Sequence, residues 1–165
     1  MQVDVILPQL LVGSCPICRA DIDQLKNQFG VTAVLNLQTD ADFQNAGIDW
    51  TDLSSYYGEL GIETRRAPVR DFDPAALREN LPSCVSQLDE LLRNGRIVYV
   101  HCNAGINRSP STIIAYLHWV QRQELGEAVW TVTSRHTCDP YVTAIVQATP
   151  GWEELQASGR TSSPA

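Results

Sequence analysis

Apolar residues occur in this chain both as short runs and as longer stretches with helical spacing. Short segments predict strands at residues 3–6, 10–12, 31–37, 62–67 and 97–101. Several of them are apolar at nearly every position, which is typical of strands buried on both faces of a parallel sheet. The pattern therefore predicts an α/β domain with a central, mostly parallel sheet flanked by helices.

Between and after these segments, apolar residues recur every three or four positions, as one face of a helix requires. The longest such stretch, residues 74–93, ends before the turn Asn94-Gly95 and carries leucines that we assign to the core. Further helices are predicted at residues 20–28, 109–123, 127–135 and 141–148.

Length and composition favour a single domain. The chain has 165 residues, of which 44% are hydrophobic, and this is enough for one core. We assign residues 1–155 to the domain. Residues 156–165 are rich in Ser, Gly and Thr, and we predict a disordered tail there.

The charge argues against nucleic acid as a partner, because the net charge is −7 and there is no basic run. Arg65, Arg66 and Arg70 form a local exception. They could favour a phosphorylated ligand, or they could be the solvated end of a strand.

No stretch approaches the length needed to cross a bilayer, and the N-terminus lacks the blocks of a signal peptide. We expect no membrane contact and a cytoplasmic location, or a plastid location if a transit peptide has been removed. Five cysteines, an odd number, fit a reducing compartment better than a disulfide framework. The oligomeric state stays open.

One segment combines a cysteine and an arginine at a fixed spacing between a strand and a helix. It reads His101-Cys102-Asn103-Ala104-Gly105-Ile106-Asn107-Arg108-Ser109. A tight loop between a buried strand and a helix directs backbone N–H groups and the positive end of the helix dipole at one spot. An anion fits there, and a cysteine in that position ionises more readily to the nucleophilic thiolate. The planar guanidinium of Arg108 can hold two phosphoryl oxygens at once.

At these residues the chain resembles the protein tyrosine phosphatase superfamily, whose signature is His-Cys, five residues, Arg, then Ser or Thr. The resemblance implies that Cys102 attacks phosphorus and forms a phosphocysteine, while Arg108 and the amides of residues 103–108 hold the oxygens. No metal and no cofactor are implied. In the family, the residue at Ser109 helps the thiolate leave and the residue at His101 supports the loop; a plain helix cap is the alternative for Ser109.

The family mechanism also needs a proton donor on a separate loop. The sequence Asp71-Phe72-Asp73-Pro74 offers two carboxylates. Pro74 suits the first position of a helix, so Asp73 is a natural N-cap and Asp71 is left free. By resemblance, the first aspartate of this triplet is the general acid, which also selects Asp71. Asp73 is the second choice, and a turn role for Asp71 stays open.

The remaining cysteines and histidines show no ligand spacing for a metal. Cys15 and Cys18 form a single Cys-x-x-Cys pair, which we assign to a turn, with redox or metal binding as the alternative. Cys84 or Cys138 could form a protective disulfide with Cys102, or could be packed. We assign a structural role, and no role in catalysis or binding, to His118, Trp119 and His136.

Within the superfamily, the short chain resembles the dual-specificity phosphatases, and residues 10–149 are most similar to the laforin and starch-excess glucan phosphatases. That subfamily dephosphorylates starch or glycogen. Its loop has a glycine where this chain has Asn107. Plant members also place aromatic residues where this chain has Asn45-Ala46.

The aromatic side chains that could stack on a sugar are therefore few. Phe72 is present, and its ring could either stack on a sugar or pack within the loop that carries Asp71. Four further aromatic residues are candidates for a sugar contact, but we favour ordinary core or surface positions for them: Phe43, Trp50, Tyr56 and Tyr57.

These observations predict a metal-free, cysteine-dependent phosphomonoester hydrolase. Its catalytic residues are Cys102, Arg108, Asp71 and Ser109, and its substrate-binding residues are Asn103, Ala104, Gly105, Ile106, Asn107 and Phe72. We favour a phosphoglucan over a phosphoprotein as substrate. A catalytically silent phosphate-binding module, and an arsenate reductase or rhodanese-like sulfur carrier, are the alternatives.

Overall fold

A five-stranded sheet lies at the centre of the structure, a computed structural model that describes residues 1–159. Its strands are β1 (Val3–Leu7), β2 (Leu10–Gly13), β3 (Ala33–Asn36), β4 (Glu63–Arg66) and β5 (Val98–His101), in the order β1-β2-β5-β3-β4. β1 pairs antiparallel with β2, and the other pairs are parallel. The predicted mostly parallel α/β sheet is confirmed.

Seven helices surround the sheet within the described residues. They are α1 (Arg19–Phe29), α2 (Asp40–Ala46), α3 (Trp50–Glu59), α4 (Pro74–Arg93), α5 (Arg108–Trp119), α6 (Leu125–Thr133) and α7 (Val142–Ala157). The bounds of α4 agree with those predicted, because Pro74 and the capping carboxylate of Asp73 mark its start.

Helices α2 and α3 were not predicted. They have seven and ten residues, and no apolar repeat of helical spacing was assigned to either from the sequence. Local signals mark their ends instead. Thr39 begins α2 with a capping box, and Gly47 ends it with a positive φ of 64°.

The C-terminal part of the chain differs from the sequence prediction. Helix α7 continues past the expected end at Ala148, so residues 156 and 157 form its last turn rather than part of a tail. Trp152 is buried and stacks on Trp119 with ring centroids 5.5 Å apart. This packing outweighs the helix-breaking signal of Pro150-Gly151. Residues 160–165 lie outside the described residues.

Alternate side chains of the strands enter two separate cores. Leu10, Val12, Val98 and Val100 contribute to the larger core beneath α4, α5 and α7, whereas Leu11, Val34 and Tyr99 contribute to a smaller core. The smaller core also takes residues of α1, α2 and α3. With both faces covered, the carboxyl ends of the parallel strands form one open edge, where β5 leads into α5.

Candidate active site

The loop of residues 102–108 joins β5 to α5, and its carbonyl groups are bound from outside the loop. His101 Nδ1 lies 3.2 Å from the carbonyl oxygen of Cys102, and His136 Nε2 lies 2.7 Å from that of Gly105. The amides of Cys15 and Asp139 donate to the carbonyls of residues 103 and 106, at 2.8 and 2.9 Å.

The outward carbonyls fix the direction of the amides. In a planar trans peptide the C=O and the following N–H point in opposite directions, and the described chain has no cis peptide. The N–H groups of residues 103, 104, 106 and 107 therefore turn toward the inside of the loop. This is the arrangement that an anion-binding loop requires.

Gly105 is the residue that allows the loop to close. Its φ is +78°, and a Cβ there would lie 2.6 Å from the carbonyl oxygen of Gly13. Any larger residue would clash with backbone and would be strained as well. The glycine of the sequence motif is thus required by the close approach of β2.

Cys102 lies at the base of this loop and is almost fully buried. Its Sγ is 3.4 Å from Ser109 Oγ, at the N-terminus of α5. Oriented amides and the helix N-terminus both direct partial positive charge toward that position. The hydroxyl of Ser109 can donate to the sulfur.

Arg108 has no exposed surface, and its guanidinium is held on one side only. Nη1 donates to Asp42 Oδ2 at 2.9 Å and to the carbonyl of Val69 at 2.7 Å. Nη2 is 2.7 Å from Asp71 Oδ2 without the alignment of a hydrogen bond, and Nε has no hydrogen-bond partner among the described residues. Nε is therefore available to a phosphoryl oxygen, and Nη2 becomes available when a ligand displaces Asp71.

Asp42 is a site residue that the sequence analysis missed. It belongs to the capping box of α2 and accepts from Thr39 N, Asn103 Nδ2 and Arg108 Nη1. Burial by itself would raise the pKa of Asp42, but these hydrogen bonds outweigh it and lower that pKa to about 2. The Thr-x-x-Asp spacing was visible in the sequence, but it indicates only a helix start.

The carboxylate of Asp71 caps no helix, as the capping argument predicted, and it is bound within the site instead. Asn103 Nδ2 donates to Asp71 Oδ2 at 2.8 Å, and Asn103 Oδ1 accepts from Gln38 at 2.8 Å. Asp73 caps α4 through the amide of Ala76, as predicted, and pairs with Arg70. Of the two carboxylates, only Asp71 therefore lies over the 102–108 loop.

A cleft of about 340 Å³ opens above Cys102. Phe72, 81% exposed and with a positive φ of 54°, lines one side, and Ile106 and Tyr141 contribute further apolar surface. Asn107 also lines the cleft, but its side-chain amide donates to the carbonyl of Asp139 at 2.6 Å. The residue that stands in place of the usual glycine thus ties the loop to the 139–141 segment.

The match to a family model decides the assignment: the model described as dual specificity phosphatase, catalytic domain, matches residues 16–140. The chain belongs to the dual-specificity phosphatase family. As the signature around Cys102 indicated, the domain carries the motif of that family in a loop of the expected form.

Of three curated relatives of this dual-specificity phosphatase domain, two are named phosphoglucan phosphatases. It is 40% identical over 145 residues to "Phosphoglucan phosphatase DSP4, amyloplastic" of Castanea sativa, covering 87% of this chain and 38% of the relative. It is 37% identical over 149 residues to "Phosphoglucan phosphatase LSF1, chloroplastic" of Arabidopsis thaliana, covering 90% and 25%. Laforin of Mus musculus is 36% identical over 130 residues, covering 73% and 39%. The chain thus spans well under half the length of these relatives.

Solved structures agree on the fold. The domain matches the crystal structure of PTPMT1 with a TM-score of 0.75 and 21% identity, covering 96% of this chain and 99% of that chain. It matches the human tyrosine phosphatase-like serine/threonine/tyrosine-interacting protein with a TM-score of 0.72 and 22% identity, covering 94% and 97%. At these identities the likeness shows the fold alone.

The other aromatic candidates of the dual-specificity phosphatase domain lie away from the cleft. Phe43 and Tyr57 are buried in the smaller core, and Trp50 stacks on Phe43 with centroids 5.1 Å apart. The guanidinium of Arg66 covers both rings of this stack and pairs with Asp40. Of the aromatic residues considered from the sequence, Phe72 is the one that lines the cleft.

The remaining cysteines occupy different surroundings. Cys18 is exposed and Cys15 is half-buried beside the 102–108 loop. Burial raises the pKa of Cys84 to about 12, and burial followed by the charge of Asp139 raises that of Cys138 to about 11. Residues 1–159 contain no group of three or more metal-ligating side chains.

Burial lowers the pKa of His101 to about 4, so its ring is neutral at ordinary pH. The ring lies against the loop through the contact of Nδ1 with the carbonyl oxygen of Cys102. In the part of the chain that the structure describes, no helix has the length and apolar character of a bilayer-spanning segment.

Proposed function

We propose that this domain hydrolyses phosphate monoesters by covalent catalysis at Cys102. The observation that carries the proposal is the convergence of three groups on one point. Cys102 lies at the base of the loop of inward amides, Arg108 at the end of that loop offers Nε and, when Asp71 is displaced, Nη2, and Asp71 lies over the same loop.

The phosphoryl oxygens bind the amides and the guanidinium of Arg108, and the substrate dianion takes the place of Asp71 at Nη2. The Cys102 thiolate attacks phosphorus, and the bond to the leaving oxygen breaks as Asp71 gives that oxygen its proton. Asp71 then removes a proton from water, which attacks the phosphocysteine. Ser109 donates to the sulfur as the thiolate leaves. Fixed donors stabilise the equatorial charge throughout.

For the substrate we infer a phosphoglucan. The three relatives described above include two proteins named phosphoglucan phosphatases, with 37–40% identity to this chain. The exposed ring of Phe72 offers an apolar face at the edge of the cleft, where a glucose ring could stack. We propose a plastid, besides the cytoplasm, as a location for this domain, since those two relatives are named amyloplastic and chloroplastic.

The test is phosphate release from phosphorylated amylopectin, an aryl phosphate and a phosphotyrosine peptide. We expect the glucan to be hydrolysed, and Cys102→Ser to abolish turnover of all three. Cys18→Ser, which changes an exposed cysteine outside the site, is the matched control and should retain full activity. Hydrolysis of the aryl phosphate and peptide alone would make the domain a phosphoprotein phosphatase, and binding without turnover would make it a silent module.

Phe72→Ala tests the sugar contact separately. We expect release from amylopectin to fall about tenfold, since loss of a stacking contact costs about 0.5–1.5 kcal/mol beyond the lost burial. The aryl phosphate rate should stay within about twofold. Equal losses on both substrates would assign Phe72 to packing of the acid loop instead.

A further inference from the structure

His136 lies directly behind the 102–108 loop, and each of its ring nitrogens faces an oxygen. Nε2 is 2.7 Å from the carbonyl oxygen of Gly105, and Nδ1 is 2.7 Å from Asp4 Oδ2. The residue is only 2% exposed. From the sequence it was assigned to structure alone, because nothing there connects it with Asp4 on β1.

This geometry bears on the charge of the ring. A neutral imidazole has one N–H and one lone pair, so it would set a lone pair against one of the two oxygens. Gln2 Nε2 donates to Asp4 Oδ2 at 2.9 Å and lies 3.5 Å from Nδ1, so Asp4 Oδ2 is the much nearer partner of Nδ1. Each ring nitrogen thus faces an acceptor oxygen, an arrangement that a ring with a hydrogen on both nitrogens satisfies, and Asp4 supplies the matching carboxylate.

The contact also controls the peptide between Gly105 and Ile106. A glycine with a φ of +78° has the least steric hindrance to rotation of its peptide plane. Holding the Gly105 carbonyl outward keeps the N–H of Ile106 inward, because the two groups are antiparallel in one plane. Of the four outer donors to loop carbonyls, His136 is the one that has a carboxylate behind it.

We propose that the buried His136 ring and the partly exposed carboxylate of Asp4 form an ion pair that positions the Ile106 amide for the phosphoryl group and places a positive charge behind the anion site. His136 is thus a positioning residue, which acts through the loop without touching the substrate. Asp4 lies on β1, outside residues 16–140, which the family model matches. The proposal therefore makes strand β1 part of the site. The inference rests on the proposed function only in taking phosphate as the ligand.

Two variants of similar size separate the two contacts. The amide nitrogen of Gln reaches the position of Nε2, so His136→Gln keeps a donor for Gly105 and loses the one for Asp4. The amide nitrogen of Asn reaches only the position of Nδ1, so His136→Asn keeps the donor for Asp4 and loses the one for Gly105. His118→Asn is the control, because His118 is bound to the carbonyl of Gln123 away from the site.

We would measure kcat and KM for an aryl phosphate, the unfolding temperature, and the binding of inorganic phosphate by calorimetry in a Cys102→Ser background. Full removal of a donor to a transition-state oxyanion lowers kcat about 10²–10³-fold, and a donor that is present but less well oriented lowers it less. We therefore expect His136→Asn to lose about tenfold more in kcat/KM and in phosphate affinity than His136→Gln. His118→Asn should change neither quantity.

Equal losses in the two His136 variants, tracking the unfolding temperature, would overturn the proposal and leave a structural histidine. Full retention in both would overturn it as well. The ¹⁵N spectrum of the three histidine rings tests the charge directly, and a bare nitrogen on His136 at neutral pH would refute the ion pair. If the wild type binds phosphate but hydrolyses nothing, the proposed hydrolysis fails, while the binding arm still decides the role of His136.

Discussion

Single carboxylates decide what this site can do, and identical side chains two positions apart have different tasks. Asp73 is occupied by the start of α4, whereas Asp71 lies against Asn103 and Arg108. The capping argument separated these two residues from sequence alone, since a cap is a local feature. That argument could not predict the contact of Asp71 with Asn103, because the contact joins positions 32 residues apart.

Asp71→Asn should lower kcat about 10²–10³-fold on substrates with a poor leaving group, where the departing oxygen needs a proton. The loss should be much smaller on an activated aryl phosphate. Asp73→Asn keeps an N-cap residue of nearly equal preference and should leave both rates within about twofold. Rates on a series of leaving groups check this, and a similar loss for all of them would remove Asp71 from the role of acid.

The lowered pKa of Asp42 predicts a pH-dependent contribution to stability. A carboxyl whose folded pKa is about 2, against an ordinary value of 3.8, stabilises the fold above the ordinary value, and this is lost as pH falls through about 2. Asp42→Asn should therefore cost roughly 2 kcal/mol at neutral pH, and the difference from wild type should shrink below about pH 4. Denaturant titrations at several pH values measure it. Asp40→Asn, on the exposed side of α2, is the control, and a difference independent of pH would contradict the assignment.

At the scale of elements, the start of α2 connects helix capping with the chemistry of the site. The capping box of Thr39 fixes the carboxylate of Asp42, which in turn holds Arg108. The N-cap of α3, Asp49, accepts from the amide of Asp52 in the same way as Thr39 accepts from that of Asp42, but it has no reciprocal bond and is not among the residues described at the site. Sequence rules recognise both caps equally, so only the fold distinguishes them.

Thr39→Ala and Asp49→Ala should each lower the free energy of unfolding by about 1 kcal/mol, the usual cost of a lost N-cap. Only Thr39→Ala should also lower kcat/KM, by about threefold to tenfold, since it loosens Asp42 and through it Arg108. Thermal unfolding combined with aryl phosphate kinetics separates the two effects. Equal activity of both variants would disconnect the cap from the site.

At the scale of the whole molecule, the fold sorts five cysteines into different environments although all share a single chemistry. Cys84 is enclosed in the larger core, whereas Cys18 lies on the surface at the start of α1. The packing of the helices decides this, although the position of Cys84 three residues after Leu81 on the apolar face of α4 is a local signal of burial.

The native protein at pH 7.5 should therefore be alkylated by iodoacetamide at Cys18 well before Cys84 or Cys138. Burial raises the pKa of both of the latter, to about 12 and about 11, so almost no thiolate is present. Peptide mapping by mass spectrometry over time checks the order. Labelling of Cys84 at the rate of Cys18 would mean that the larger core opens readily.

The sequence by itself determined the features that depend on neighbouring residues. The strand, tight loop and helix around Cys102, the spacing to Arg108 and the cap at Asp73 are all set within about ten positions, where backbone geometry and residue type suffice. Tertiary structure decided the rest. It brings Asp42 to Arg108 across 66 positions and His136 to Asp4 across 132, and it buries Phe43 and Tyr57 while leaving Phe72 exposed. Such contacts follow from sheet order and from which strand face meets which helix, and these depend on the packing of the whole chain.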